Sequence, residues 1–183
     1  YVMTSTLSVS KIQGLSTAAA PTTVEIASGH KLTGAAGSIV APGQVIQTVQ
    51  NKLEDVTRVA ITSSSFQATN ITGTITPTST SSKVLIMMST SANNNNTNNT
   101  GMPITIYRNG STDLSGAGDG FTTVETRGAR SHMPVSIQVL DSPATTSATT
   151  YTMYTRSNSG STVELPYSNG NETAVVILQE IAG

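Results

Sequence analysis

The chain has 183 residues, of which 10% are charged, with 9 basic and 10 acidic side chains and a net charge of −1. A duplex-binding protein needs a concentrated basic face, and seven aromatics (five Tyr, two Phe, no Trp) are few for a single-strand stacking platform, so nucleic acid is excluded as the expected partner. Without cysteine there is neither a disulfide framework nor a thiolate site, and no run approaches the roughly 20 apolar residues of a membrane span.

Serine and threonine dominate the polar residues, a mixture that disfavours helix interiors and suits strands and turns. Residues 1–42 differ from the remainder. LSVSKIQG, TTVEIASGHKLTG and GSIVAPG are short alternating runs, each closed by Gly or Pro. Each is too short to bury a face alone. Several copies wound together make a fibre shaft; a disordered leader is the alternative.

From Pro42-Gly43 the strands lengthen. The alternation predicts strands near 44–50, 57–69, 70–76, 82–91, 102–108, 121–127, 132–140, 148–156, 161–165 and 173–181. Gln50–Ala60 has a helical alternative, with Leu53, Val56 and Ala60 on one side. Ile71, Gly73 and Ile75 alternate with threonines, whereas Val84-Leu85-Ile86-Met87-Met88 is an unbroken apolar run. The first pattern describes a strand with one wet face, the second a strand covered on both faces. The Pro and Ser/Thr turn chemistry of the linker predicts that the two form a hairpin. Nine or ten strands with turn signals between them give an all-β antiparallel sandwich or barrel.

Two linkers are candidate contact surfaces, because polar loops on a rigid sandwich are where recognition is usually placed. The first is 93–100, with Asn93, Asn94, Asn95, Asn96, Asn98 and Asn99; it lacks an apolar anchor and is expected to be solvated or held by a neighbour. The second is 108–120, with Asn109, Asp113 and Asp119, opening on the tight-turn pair Asn109-Gly110. Tyr151, Met153, Tyr154, Val176 and Leu178 are candidates for core or intersubunit packing.

Several motifs in order carry a resemblance: STLSVSKIQG, SIVAPGQVIQTV, ITPTSTSSKVLIMMS, ITIYRNGS, VLDSPATTSATTYTMYTR and VVILQEIAG. Together they resemble bacteriophage tail-fibre or appendage proteins of marine and cyanobacterial phages, over most of residues 4–183. The resemblance implies a C-terminal trimeric jelly roll, like complement-type globular heads, over 43–183, and a shaft or virion-docking segment over 1–42. It implies a homotrimer on a virion, joined to other virion proteins through the N-terminal segment and adhering to host-surface glycan or protein. A capsid decoration protein without a receptor role is the alternative.

The chemistry-bearing residues add little. His30 and His132 stand apart, with no Cys or second His at metal spacing. Glycan hydrolysis needs two carboxylates across a cleft, but depolymerising spikes are long and repetitive, and this chain is short. No enzyme, cofactor or metal is expected. Asp113 and Asp119 match no calcium-loop spacing.

Overall fold

Residues 28–29, 39–54, 56–96, 100–167 and 172–183 are described by the structure, a computed structural model. The chain divides into two compact units, Tyr1–Ile39 and Val40–Gly183. The shaft or leader expected over 1–42 lies almost wholly outside the described residues.

Among the described residues of the second unit there are eleven strands: β1 (Val45–Leu53), β2 (Ala60–Ile61), β3 (Gln67–Ile75), β4 (Lys83–Asn94), β5 (Gly101–Arg108), β6 (Thr112–Asp113), β7 (Thr122–Glu125), β8 (Ser131–Asp141), β9 (Thr149–Thr155), β10 (Val163–Glu164) and β11 (Ala174–Ile181). No helix occurs among the described residues, so the helical alternative over Gln50–Ala60 gives way to β1 and an extended connection. The runs at 57–69 and 70–76 divide at a different place from the one expected. A short β2 is followed by one continuous β3 with an irregularity between Ala68 and Thr72.

Two antiparallel sheets form. In the first, β4 lies between β8 on one side and β11 then β1 on the other; β10 and β2 continue that side beyond the end of β11. In the second, β9 lies between β3 and β5, and β6 and β7 share the free edge of β5. Period-two patterning explains what lies between them. Val84, Ile86 and Met88 of β4 and Val176 and Leu178 of β11 turn inward to meet Ile71 and Ile75 of β3, Ile104 and Ile106 of β5 and Tyr151 and Met153 of β9, all at 2% exposure or less. Gly73 permits the close approach of β3, since a Cβ there would stand 2.7 Å from Val176 Cγ1.

The expected hairpin between Ile71–Ile75 and Val84–Met88 is not formed. β3 pairs with β9, β4 pairs with β11 and β8, and the linker arches from one sheet to the other. Glu180 of β11, fully buried, organises that arch. Its carboxylate accepts from Thr78 N at 2.7 Å, Thr78 Oγ1 at 2.8 Å and Gln47 Nε2 at 2.6 Å. Burial pushes the Glu180 carboxyl up, but the Gln47 and Thr78 hydrogen bonds outweigh it and hold the group below the usual carboxylate range.

Nor is the run Val84–Met88 covered on both faces. Leu85 and Met87 point to the outer face of the first sheet and are only half-buried. The end of the sandwich near Arg108 is closed by a clamp across the sheets. Arg108 Nη1 donates to both Asp141 oxygens at 2.8 Å, and the Tyr151 hydroxyl donates to Asp141 Oδ2 at 2.8 Å. Burial and the bond to Asp141 push the Tyr151 phenol far above its ordinary range.

Candidate functional site

Tyr107 of β5 and Tyr154 of β9 alternate with inward-facing Ile106 and Met153, so they stand on the outer face of the second sheet. Tyr154 lies opposite Thr105 and diagonal to Tyr107, which brings the two rings to 4.3 Å between centroids at 32°. Arg156, two residues further on, follows the same parity.

The connection from β6 to β7 folds beside this face. Its ends are bonded to the β5 edge by Leu114 N to Ile106 O at 3.0 Å and Phe121 N to Ile104 O at 2.9 Å. Asp113 shapes the interior of the loop, accepting from Thr105 Oγ1, from Ser115 N at 3.0 Å and from Ser115 Oγ at 2.9 Å. Gly120 has φ +69°, and a Cβ there would lie 2.3 Å from the Ile104 carbonyl oxygen, so glycine is required at that approach.

Opposite the loop, Ser63–Phe66 leads into β3. Phe66 stands 6.2 Å from Tyr107 between centroids, and the Arg156 guanidinium lies 5.3 Å from the Phe66 ring centre. Arg156 also donates to Gly118 O at 3.1 Å and Asp119 Oδ1 at 2.9 Å, and bonds Asn158. Together these groups border an open cleft of about 670 Å³, lined by Ser64, Ser65, Phe66, Tyr107, Asp113, Gly116, Ala117, Gly118 and Arg156. Burial, then nearby Asp113 and Tyr154, pushes the Tyr107 phenol up, so its hydroxyl is a neutral donor and acceptor at physiological pH.

The two expected contact loops fare differently. Asp113 lines the cleft and Asp119 pairs with a residue that does. Asn109 has φ 50° and Gly110 φ 69°, the tight turn its dipeptide announced, and Asn109 Oδ1 accepts from Thr150 N at 2.9 Å. The solvated reading of 93–100 needs correction. Asn93, Asn94 and Asn96 are buried at 1%, 0% and 5% exposure. Asn93 donates to Glu164 at 2.6 Å; Asn94 donates to the Thr100 and Val124 carbonyls; Asn96 donates to Thr100 Oγ1 and Ser159 Oγ at 2.6 Å each. Buried amides whose NH2 groups find acceptors brace neighbouring segments, although Asn93 Oδ1 is buried without a donor, and an apolar-anchor criterion does not detect such bracing. Asn95 is exposed, and Asn98 and Asn99 lie outside the described residues.

Of the packing candidates, Tyr151, Met153, Val176 and Leu178 belong to the core, while Tyr154 is half-buried against Tyr107 on the outer face. Phe66, Tyr107 and Arg156 were not singled out from the sequence. The parity of ITIYR and YTMYTR carried the signal for the last two. His132 is an exposed edge-strand residue whose ring lies 4.5 Å from that of Tyr167. No group of three or more His, Asp or Glu able to hold a metal occurs among the described residues.

A second surface lies on the outer face of the first sheet. Register places Leu85 beside Leu140 and Gln179, and Met87 beside Ile177 and Gln138. Val175 and Ile181 flank Ile177 on the same face, and Val45 lies opposite Ile181. Val45 and Leu140 are 45% and 50% exposed, and the others are half-buried. The apolar positions share this face with Gln50 beside Ile177, Gln179 beside Leu85 and Gln138 beside Met87, and Lys52 and Lys83 adjoin Val175 and Ile181.

A scan against protein-family models and a search of curated proteins found no match to this chain.

Proposed function

We propose that this chain forms the head of a virion appendage, a homotrimeric jelly roll that attaches the particle to host cells through several weak contacts made at once. The observation that carries the reading is the pairing of two outer faces on one sandwich. One is an apolar sheet surface of the kind that marks association between proteins; the other is an open aromatic cleft. Covering Leu85, Met87, Val175, Ile177 and Leu140 with a second and third copy removes from water a patch that one chain leaves wet.

The jelly-roll assignment is supported by strand order. The principal strands run β1-β11-β4-β8 in one sheet and β3-β9-β5-β7 in the other, and each successive principal strand changes sheet except at β5–β7. That alternation is what two Greek keys folded together require. The threefold count follows the resemblance to trimeric heads. Association also answers the energetics of an exposed, disulfide-free protein.

Ile177→Lys tests the reading, because a charge at the centre of the apolar face cannot be desolvated cheaply in an interface. Labelled wild-type and variant proteins are incubated with intact cyanobacterial and other marine bacterial cells. Wild type is retained on at least one of them. The variant, folded but monomeric, loses at least tenfold in apparent affinity, since linked sites gain about 10²–10⁴ over single ones. Equal retention of a monomeric variant, or none of the wild type, overturns the proposal.

A further inference from the structure

We infer that the cleft between Ser64–Phe66 and the Gly116–Gly118 loop is a sugar-binding site, and that its ligand is a neutral hexopyranose unit of a surface glycan. The inference rests on the adhesion reading and names the chemistry at its contact site.

Volume comes first. About 670 Å³ lies in the roughly 300–1,000 Å³ range of small-molecule sites. The lining chemistry then narrows the class. Phe66 and Tyr107 pack against each other at 6.2 Å and 56° and together offer one tilted aromatic surface to the cleft, while Tyr154 lies against Tyr107 at 4.3 Å and 32° and fixes that ring in place. A pyranose has one face of axial C–H groups whose hydrogens are weakly positive, and the negative face of an aromatic ring attracts them. Its rim of hydroxyls then needs donors and acceptors at the cleft edge. The Tyr107 hydroxyl and the exposed Ser64 and Ser65 side chains supply these. A flat apolar ligand would make no use of those groups, and a peptide would more commonly add to a sheet edge or fill a long groove.

Charge decides between neutral and acidic sugars. Two carboxylates, Asp113 and Asp119, stand against one guanidinium, Arg156. That cation is already engaged by Asp119 at 2.9 Å, by the Gly118 carbonyl at 3.1 Å and by the Phe66 ring. An incoming sialate, uronate or sulfate would meet a net negative margin with its natural partner occupied. The same arrangement is rigid before any ligand arrives. Both ends of the loop are bonded to β5, and Asp113 ties its start to Thr105. Little ordering cost then falls on binding.

The test uses the full chain and saturation-transfer NMR with methyl glycosides of glucose, galactose, mannose and N-acetylglucosamine at millimolar concentration, beside glucuronate and sialate. At least one neutral glycoside receives saturation, strongest on the protons of one ring face. Phe66→Leu and Tyr107→Leu each weaken it tenfold or more, and Tyr107→Phe keeps the signal within about threefold, because the ring remains. Circular dichroism and melting temperature show that each variant folds. Absence of saturation on all four neutral glycosides overturns the inference, as does stronger saturation of the acidic sugars. Unchanged saturation in both leucine variants also overturns it; cell retention by those variants then leaves adhesion standing with its contact elsewhere. Loss of cell retention through Ile177→Lys with saturation intact supports the site, since the monomer keeps the cleft.

Discussion

Asp141→Ala removes the acceptor at the centre of the cross-sheet clamp, and its cost follows from the partners left behind. The Tyr151 side chain is fully buried, and its hydroxyl donates to Asp141 at 2.8 Å. A buried donor left without an acceptor costs about 1–3 kcal/mol. Arg108 loses two contacts at 2.8 Å, but its side chain is 24% exposed and reaches the Ser142 carbonyl at 3.5 Å, so water makes good part of that loss. Its share is about 1 kcal/mol. The sum is about 2–4 kcal/mol, or roughly 4–16 °C in melting temperature for a domain of this size. Urea unfolding followed by circular dichroism measures it, with both proteins at one chain concentration because association adds to apparent stability. A double-mutant cycle with Tyr151→Phe isolates the hydroxyl. Alone, Tyr151→Phe costs about 1 kcal/mol, while in the Asp141→Ala background it is neutral or stabilising. A destabilisation by Asp141→Ala below about 0.5 kcal/mol, or additive costs in the cycle, would refute the clamp.

Other outcomes follow from the same geometry. Glu180 has a folded pKa below its unfolded value of about 4.5, so its contribution is present above that pH and is lost as pH falls through the lower, folded value. Acid unfolding of the wild type shows this limb, and Glu180→Gln flattens it; identical acid profiles would discount the arch. Tyr151 titrates in the opposite sense. Its folded pKa is raised, so stability is full below about pH 10 and falls as pH rises beyond it, a slope that Tyr151→Phe reduces in alkaline melts while the share of Tyr107, raised in the same sense, remains. Gly120→Ala forces a Cβ against the Ile104 carbonyl at positive φ, costing about 1–3 kcal/mol and displacing the cleft loop. Hydrogen exchange at Leu114 and Phe121 reads that displacement, and unchanged protection there would contradict it.

Much of the fold was legible because alternation states which side of a strand is buried. Most strands, and a core holding Tyr151, Met153, Val176 and Leu178, follow from that alone. Pairing is another matter. Whether Ile71–Ile75 lies beside or across from Val84–Met88 depends on contacts between residues distant in sequence, here Glu180 with Thr78 and Gln47. No local turn signal encodes those. The Asn run shows a second limit. Side-chain polarity predicts water, yet Asn94 donates to two backbone carbonyls inside the protein. In the cleft, the Gly-rich loop was visible from composition. The aromatic platform required extending strand parity one residue past Ile106 and Met153, and Phe66 offered no periodic cue because it precedes β3 in an irregular segment.

The claim on which the account turns is that copies of this chain close over the apolar face of the first sheet. Sedimentation equilibrium of the purified chain at micromolar concentration tests it most directly. The account predicts a single species of three times the 18.9 kDa chain mass, falling to one chain mass with Ile177→Lys. A wild-type protein that sediments as one folded chain across that range would contradict it.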